Sequence, residues 1–368
     1  MVAFGWVACY TRNGNPLHNL MAIKARFRAT LGVCLTAAAV TLHGCAGHSA
    51  VAPMDMVQLD GAAPAIRWMA PELGADRSSL GNWRMSVGPP VVVSHETPDE
   101  RSDRLVVVNW NMHVGGGDIG GLLAEVRRRH AGAPVVFLLQ EAYREGPEVP
   151  VSLEPPASFA SMIRSMRPDG SREVLEAVAT RLGLHAYYVP SMRNGAPAAS
   201  AEDRGNAILS TLPLSDLTAI ELPFERQRRV AVAATVAGVS HTGTPWKVRV
   251  VSAHLDNMVG ARRLWIAGGE FGRTRQARGL VSALQGADAL VLGADLNSWF
   301  GFHDGAYRTA AAAFPGTPVT DRRGTFHGML RLDHLFFRLD EGWRAKFARA
   351  DNTFGSDHYP LVGEIQFD

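Results

Sequence analysis

Short apolar runs rich in valine and too brief for helices recur along this chain, and they constrain its fold more than any other feature. Val135–Leu139 is continuous and Leu105–Trp110 is broken only by Asn109, the pattern of strands covered on both faces. Val230–Val236 alternates, Gly238–Gly243 reads as a turn, and Trp246–His254 follows as its partner strand. That partner places Trp246, Val248 and Val250 on one face and Lys247 and Arg249 on the other. Further strands are expected at Ala186–Val189, Ala207–Ser210, Leu217–Leu222, Ala289–Gly293, Leu332–Phe337 and Leu361–Ile365. Helical spacing is confined to Ile119–His130, where Ile119, Leu122, Leu123 and Val126 share a face, and to Arg172–Leu182 and Thr274–Leu284. Strands outnumber helices and occur both in hairpins and in strand–helix–strand units. The expected architecture is therefore a two-sheet α/β (α+β) sandwich with helices outside.

The 368 residues suffice for one large domain, and the first hundred read differently from the rest. From Met21, the expected true start, Lys24, Arg26 and Arg28 precede an apolar stretch at Thr30–Leu42 that has the length of a signal peptide. It ends in Leu42-His43-Gly44-Cys45, which resembles a bacterial lipobox, with His43 where that pattern prefers a small residue. Residues 1–45 are thus expected to be a leader, with lipidation at Cys45 and a destination in the cell envelope. Residues 46–100 read as a tether and an irregular approach, and 101–368 as the folded domain. All three cysteines, Cys9, Cys34 and Cys45, lie ahead of that domain, so neither a disulfide framework nor a thiolate zinc site is available within it.

The formal net charge is +2. Arg12, Lys24, Arg26 and Arg28 precede Cys45 with no acid among them, leaving 33 basic residues against 35 acidic ones in the exported part. The strongly basic field of many nucleic-acid binders is missing. Two local clusters speak the other way, Arg226, Arg228 and Arg229, and Arg262, Arg263, Arg273 and Arg275.

Nearly every expected strand ends in an acid, an amide or a histidine: Asn111, Glu141, His254, Asp295 with Asn297, Asp333, and Asp357 with His358. A core needs none of these, and burying them unpaired costs several kcal/mol each. Strand ends converge on one edge of a sheet, where sites are found. Oxygen donors without cysteine suit a hard cation such as Mg²⁺, Mn²⁺ or Ca²⁺. Histidines with carboxylate neighbours suit water activation and charge stabilisation, and the mixture fits metal-assisted hydrolysis of a phosphoester.

In order along the chain come VVNWNM through Asn111, LLQEAY through Glu141, GNAILS at Gly205–Ser210 and VSAHLDN through His254. GADLNSW through Asp295 and Asn297, RLDHLFF through Asp333, and GSDHYPL through Asp357 and His358 complete the series. This ordered set resembles the endonuclease/exonuclease/phosphatase superfamily from about Arg104 to Phe367. The resemblance implies a four-layer sandwich of two mixed β-sheets flanked by helices, with the site at one end. It implies that Glu141 is the main metal ligand, helped by Asn111 and Asp357, and that His358, oriented by Asp333, activates water. His254 would stabilise or protonate the phosphate, and Asp295 and Asn297 would orient water and a phosphoryl oxygen. Members differ in whether the histidine or the aspartate of the GADLN turn is the base.

Two departures bear on substrate. Pancreatic-type nucleases have an arginine two residues after the glutamate, whereas this chain has Tyr143, which leaves Arg144 or Arg204 as the expected phosphate contact. Residues 145–203 read as an insertion at the substrate rim, with Pro147, Pro150, Pro155 and Pro156. The expected activity is a nuclease-like phosphodiesterase on extracellular DNA or RNA. The alternatives are a lipid-headgroup phosphodiesterase or small-molecule phosphatase, and a non-catalytic binding module on the same fold. The expected partners are the phosphodiester substrate and the membrane, through the N-terminal anchor, with the protein itself a monomer.

Overall fold

The computed structural model describes residues 48–59, 64–96, 101–150, 168, 170–195, 201–257, 265–318 and 321–367. The leader with Cys45 lies outside them, as do Arg262 and Arg263. In chain order the first elements are β1 (Val51–Val57), β2 (Ile66–Pro71), α1 (Gly74–Arg84), β3 (Val91–Val93), β4 (Arg104–Asn111), α2 (Ile119–Arg129) and β5 (Val135–Glu145). Then come α3 (Leu175–Leu182), β6 (His185–Arg193), β7 (Glu202–Ser210), β8 (Ser215–Glu221), β9 (Val230–Val239), β10 (Pro245–His254) and α4 (Trp265–Ala283). The last are β11 (Leu290–Asp295), a 3₁₀ turn (Gly301–His303), α5 (Gly305–Ala313), β12 (Asp333–Arg338), β13 (Arg344–Arg349) and β14 (Leu361–Gln366).

Two seven-stranded sheets result, one ordered β1-β2-β8-β9-β10-β11-β12 and the other β13-β14-β4-β5-β7-β6-β3. Both are mixed, since β10–β11, β2–β8 and β4–β5 pair in parallel among otherwise antiparallel neighbours. The core between the sheets joins Leu105, Val107 and Leu138 of one to Val232, Val250 and Val291 of the other. The opposite faces of β4 and β5, with Val106, Val108 and Phe137, are covered by Leu122 and Val126 of α2 and Val178 of α3. On the far side Leu292 and Val251 pack against Leu280 of α4 and Ala310 of α5. This is the four-layer sandwich expected from the sequence. Each fully buried Val or Leu contributes about 1.5–3 kcal/mol, which is why the central runs read as continuous.

Two expectations are corrected. Residues 46–100 are not simply an irregular approach, because β1, β2, α1 and β3 lie there and extend both sheets. Of these, β1 and β3 are the edge strands of their sheets, where burial writes the weakest pattern. The middle of β1 is exposed, and its register shifts between Pro53 and Asp55, as a proline at an edge bulge allows. Within 145–203, the part from Leu175 to Arg193 is not at a rim, because β6 is a fully buried member of its sheet and Leu175, Val178 and Ala179 of α3 are core.

Candidate active site

Register alone builds a row of functional groups. His254 at the end of β10 lies opposite Asp295 at the end of β11, and Asp295 lies opposite Asp333 at the start of β12. From the other sheet, Asn111 ends β4, and its Nδ2 donates to Asp295 Oδ2 at 3.0 Å, tying the two sheets at this edge. Beneath it, Gln140 Nε2 donates to Asn109 Oδ1 and to Ser252 Oγ, both at 2.9 Å, so the strand ends are braced by a buried polar bridge.

Glu141 does not end its strand. It sits within β5 at φ 53°, where the register with β7 shifts between Leu139 and Ala142. This bulge re-aims a side chain that regular alternation would send elsewhere. Asn297 is likewise left-handed, at φ 47°, and its N–H donates to Asp295 Oδ1 at 2.9 Å. Its side-chain amide donates to Leu255 O at 3.0 Å and lies 3.1 Å from His254 Nε2. His358 is fixed through its backbone: its N–H donates to Ser356 Oγ at 3.0 Å, and its carbonyl accepts from Trp110 Nε1 at 3.0 Å. Its Nδ1 is 2.6 Å from Asp333 Oδ2.

Burial sets the electrostatics. Asp295 is pushed up to about 7 by burial and by the neighbouring Asp333 charge. Burial opposes the charged form of His358, but the charge and hydrogen bond of Asp333 outweigh it and raise the imidazole to about 10. Asp295, Asp333 and His358 offer donor atoms within 4.8 Å of one another. His254 is driven well below the ordinary histidine range by burial and by Arg229, Arg204 and His358. It is neutral in this state. An anion placed between it and the arginines would favour its protonated form.

Most of the expected residues therefore meet. Asn111, His254, Asp295, Asn297, Asp333 and His358 form one contact chain, and Asp357 Oδ1 lies 4.0 Å from His358 Nε2. Glu141 Oε1 is 3.8 Å from Arg204 Nη1. Arg144 does not join them. Its guanidinium is buried against Asp203, with Nε 3.1 Å from Oδ1, and Nη1 donates to Pro89 O at 2.7 Å. The arginine clusters are also largely internal: Arg228 pairs with Glu221, Arg273 with Asp304, and Arg275 with Asp76 and Glu225.

Residues not singled out as site members line a cleft with Glu141, Arg204 and His254, namely Ser191, Met192, Gly205, Asn206 and Arg229. Asn206 lies in the GNAILS motif and Arg229 in an arginine cluster, but neither position reveals which way its side chain points. Arg229 is 5% exposed, and its Nη2 donates to Gln227 Oε1 at 3.0 Å. Asp256, just past β10, accepts the N–H groups of Arg226 and Gln227 at 3.0 and 2.8 Å, pinning the loop that delivers Arg229. A larger depression formed by residues including Asp103, Arg104 and His241 lies near the opposite end of β4, away from these groups.

Among the described residues, Asp295, Asp333 and His358 bring donor atoms within 4.8 Å of one another, a set that fits a divalent cation. Among the described residues the Glu141 carboxylate, 13% exposed, accepts no hydrogen bond, and the buried Asp333 Oδ1 has no partner. Carboxylates so placed favour a positive ion beside them.

In sequence, no curated protein matches the chain. The fold resembles an endonuclease/exonuclease/phosphatase family protein from Leptotrichia buccalis C-1013-b at 13% identity, over 72% of this chain and 99% of that one, with TM-score 0.47. It also resembles the 3′-5′ exonuclease from Neisseria meningitidis at 15% identity, over 72% and 100%, with TM-score 0.44. A third likeness is beta toxin from Staphylococcus aureus with bound magnesium ions, at 12% identity over 72% and 99%, with TM-score 0.39. The model of the Endonuclease/Exonuclease/phosphatase family matches residues 108–358, which span β4 to the loop before β14 and so every strand end that builds this site. On that match the chain belongs to the endonuclease/exonuclease/phosphatase family of divalent-metal-dependent phosphoester hydrolases.

Proposed function

We propose that this protein hydrolyses phosphodiesters with Mg²⁺ or Mn²⁺ and grips its substrate at a single phosphate. The observation that carries the reading is the small recess lined together by Glu141, Arg204, Asn206, Arg229 and His254. Glu141, Asn111 and Asp357 would hold the cation, which would supply Lewis-acid stabilisation of charge on the phosphoryl group. Arg204 and Arg229 supply positive charge to the remaining oxygens, and His254 faces the same anion. Asn297 holds His254 in place, and its own left-handed turn is closed by Asp295. The proton of the attacking water passes to the buried unit of Asp295, Asp333 and His358.

Since Arg228, Arg273 and Arg275 are engaged in internal ion pairs, they do not extend a basic track away from the cleft. A nucleic-acid strand and a lipid headgroup both present a single diester to such a site. The test is a panel of supercoiled plasmid, bis-nitrophenyl phosphate, nitrophenyl phosphate and sphingomyelin, each with Mg²⁺. Diesters should be cleaved well ahead of the monoester. If the plasmid is cut, the rate should fall only shallowly with salt, because few phosphates are neutralised. A preference for the monoester, or a steep salt dependence, contradicts the single-phosphate diester reading.

We also propose that the protein is exported and anchored through Cys45, on the strength of Lys24, Arg26, Arg28 and the apolar run that follows. The wild type should fractionate with membranes, and Cys45→Ser should be released or left unprocessed. A cytoplasmic wild type rules this out.

A further inference from the structure

Asp333 and His358 meet across a gap that neither sheet controls. Asp333 begins β12 and His358 precedes β14, strands of different sheets. No ladder between those strands fixes the 2.6 Å that separates Asp333 Oδ2 from His358 Nδ1. One residue with no contact to the recess bonds to the chain beside both members of the pair. It is Thr325, in the loop before β12, which is 0% exposed.

Thr325 Oγ1 accepts the N–H groups of Leu332 and Asp333, both at 3.1 Å, which occupies both lone pairs of the hydroxyl. Its proton is directed at Leu330 O, 3.5 Å away. The Thr325 carbonyl accepts the N–H of Tyr359, the residue after His358, at 2.8 Å, and the Thr325 N–H donates to Leu330 O at 2.7 Å. Phe326 then forms antiparallel bridges to Leu330 and to His358, with its ring 4.9 Å from the imidazole. Thr325 and Phe326 therefore lie between the two stretches that carry the pair.

In a regular strand successive N–H groups point to opposite sides, so Leu332 and Asp333 share one acceptor only where the chain turns into β12. The hydroxyl thus sets the angle at which Asp333 enters its strand. That angle matters because Asp333 Oδ1 has no partner, and the bond through Oδ2 to His358 is the one its carboxylate makes among the described residues.

We propose that Thr325 is a positioning residue for the Asp333–His358 pair: its hydroxyl sets the main chain at Asp333 and its carbonyl sets it beside His358. This rests on the reading above in which the pair takes part in accepting the proton of the attacking water. Hydrogen bonds weaken steeply with misalignment, and a shift of about 1 Å in a positioned group can cost roughly 100-fold in rate. Thr325 is not among the residues that line the recess, so its loss should fall on kcat and leave substrate binding alone.

The test is hydrolysis of bis-nitrophenyl phosphate with Mg²⁺ by the full-length protein. Thr325→Val and Thr325→Ala both remove the hydroxyl, the first keeping the volume and the second opening it. Each should lower kcat by about 10- to 100-fold with KM within about threefold of wild type. Thr325→Ser, which restores the hydroxyl, should recover most of kcat. In a His358→Ala background Thr325→Val should cost less than about twofold more, because the step it supports is already lost. A folded Val or Ala variant with kcat within about twofold of wild type overturns the proposal. So does a loss that multiplies in full with His358→Ala, or one that Thr325→Ser fails to recover. If neither Thr325→Val nor Thr325→Ala folds, Thr325 serves the fold and the proposal falls as well. Wild-type kcat in His358→Ala would instead defeat the role of the pair itself.

Discussion

Arg144 and Arg204 lie on neighbouring strands, and the proposed function gives them opposite work, which a pair of methionine substitutions separates. Arg144 is 3% exposed at its side chain and Asp203 is 0%. Their forked ion pair is joined by Tyr188 Oη, which donates to Asp203 Oδ1 at 2.7 Å, and by Gly88 N–H, which donates to Oδ2 at 2.9 Å. Arg144→Met keeps most of the apolar stem and leaves a buried carboxylate without its countercharge. Breaking such a pair from one side costs about 3–5 kcal/mol. At the roughly 2–4 °C per kcal/mol of mid-sized domains, the melting temperature should fall by on the order of 10 °C. The turnover of the protein that remains folded should be within about twofold of wild type, because Arg144 touches no group of the site. Arg204→Met should behave in reverse. Losing one charged hydrogen bond to a phosphoryl oxygen costs about 1.5–3 kcal/mol, or roughly 10- to 150-fold in kcat/KM, with a smaller melting shift than Arg144→Met. The assay is bis-nitrophenyl phosphate hydrolysis with Mg²⁺ beside thermal melts of both variants. Loss of activity without loss of stability in Arg144→Met, or the converse in Arg204→Met, would show that the two roles have been exchanged.

Two further outcomes follow from the same contacts. His358→Ala should lower kcat by roughly 100-fold or more, and adding Asp333→Asn should make it little worse, because hydrogen-bonded groups acting as a unit are not additive. Simple additivity in that kinetic cycle removes support for the pair. Elsewhere, burial would raise the Asp321 carboxyl, but the Arg323 side chain and the N–H groups of Arg323 and Arg349 hold it below the usual range. Its contribution is thus complete above the unfolded carboxylate pKa and is lost progressively as pH falls toward the native one. Urea unfolding should find Asp321→Asn less stable by about 1.5–3 kcal/mol at pH 7, a gap that narrows in acid. A gap that widens in acid would reverse the assigned sign.

What could be read from the sequence depended on how strongly burial wrote each element. β4 reads clearly because Leu105 and Val107 face one core while Val106 and Val108 face another, leaving no polar position before Asn109. β1 has one buried residue and several exposed ones, so neither period nor composition announced it. The polar residues that end or begin the strands were legible as residues, since nothing in a core calls for Asn111, Asp295 or His358. Their aim was not. The bulge beside Glu141 changes which face each later residue of β5 occupies, so no alternation count could exclude Arg144 from the phosphate site. Arg229 reaches the cleft because Asp256, nearly thirty residues later, pins the backbone before it. Such cross-chain contacts leave no local signature.

The central claim is that a divalent cation held by Glu141 is indispensable to phosphodiester hydrolysis. The most direct measurement is turnover of one diester by wild type and Glu141→Gln, each with Mg²⁺ and with chelator. Wild type should be active with Mg²⁺, silent in chelator and restored when metal is returned. Glu141→Gln should lose most activity with Mg²⁺ while melting near the wild-type temperature when both are metal-free. Full activity of the wild type in chelator, or of a folded Glu141→Gln protein, would contradict the account.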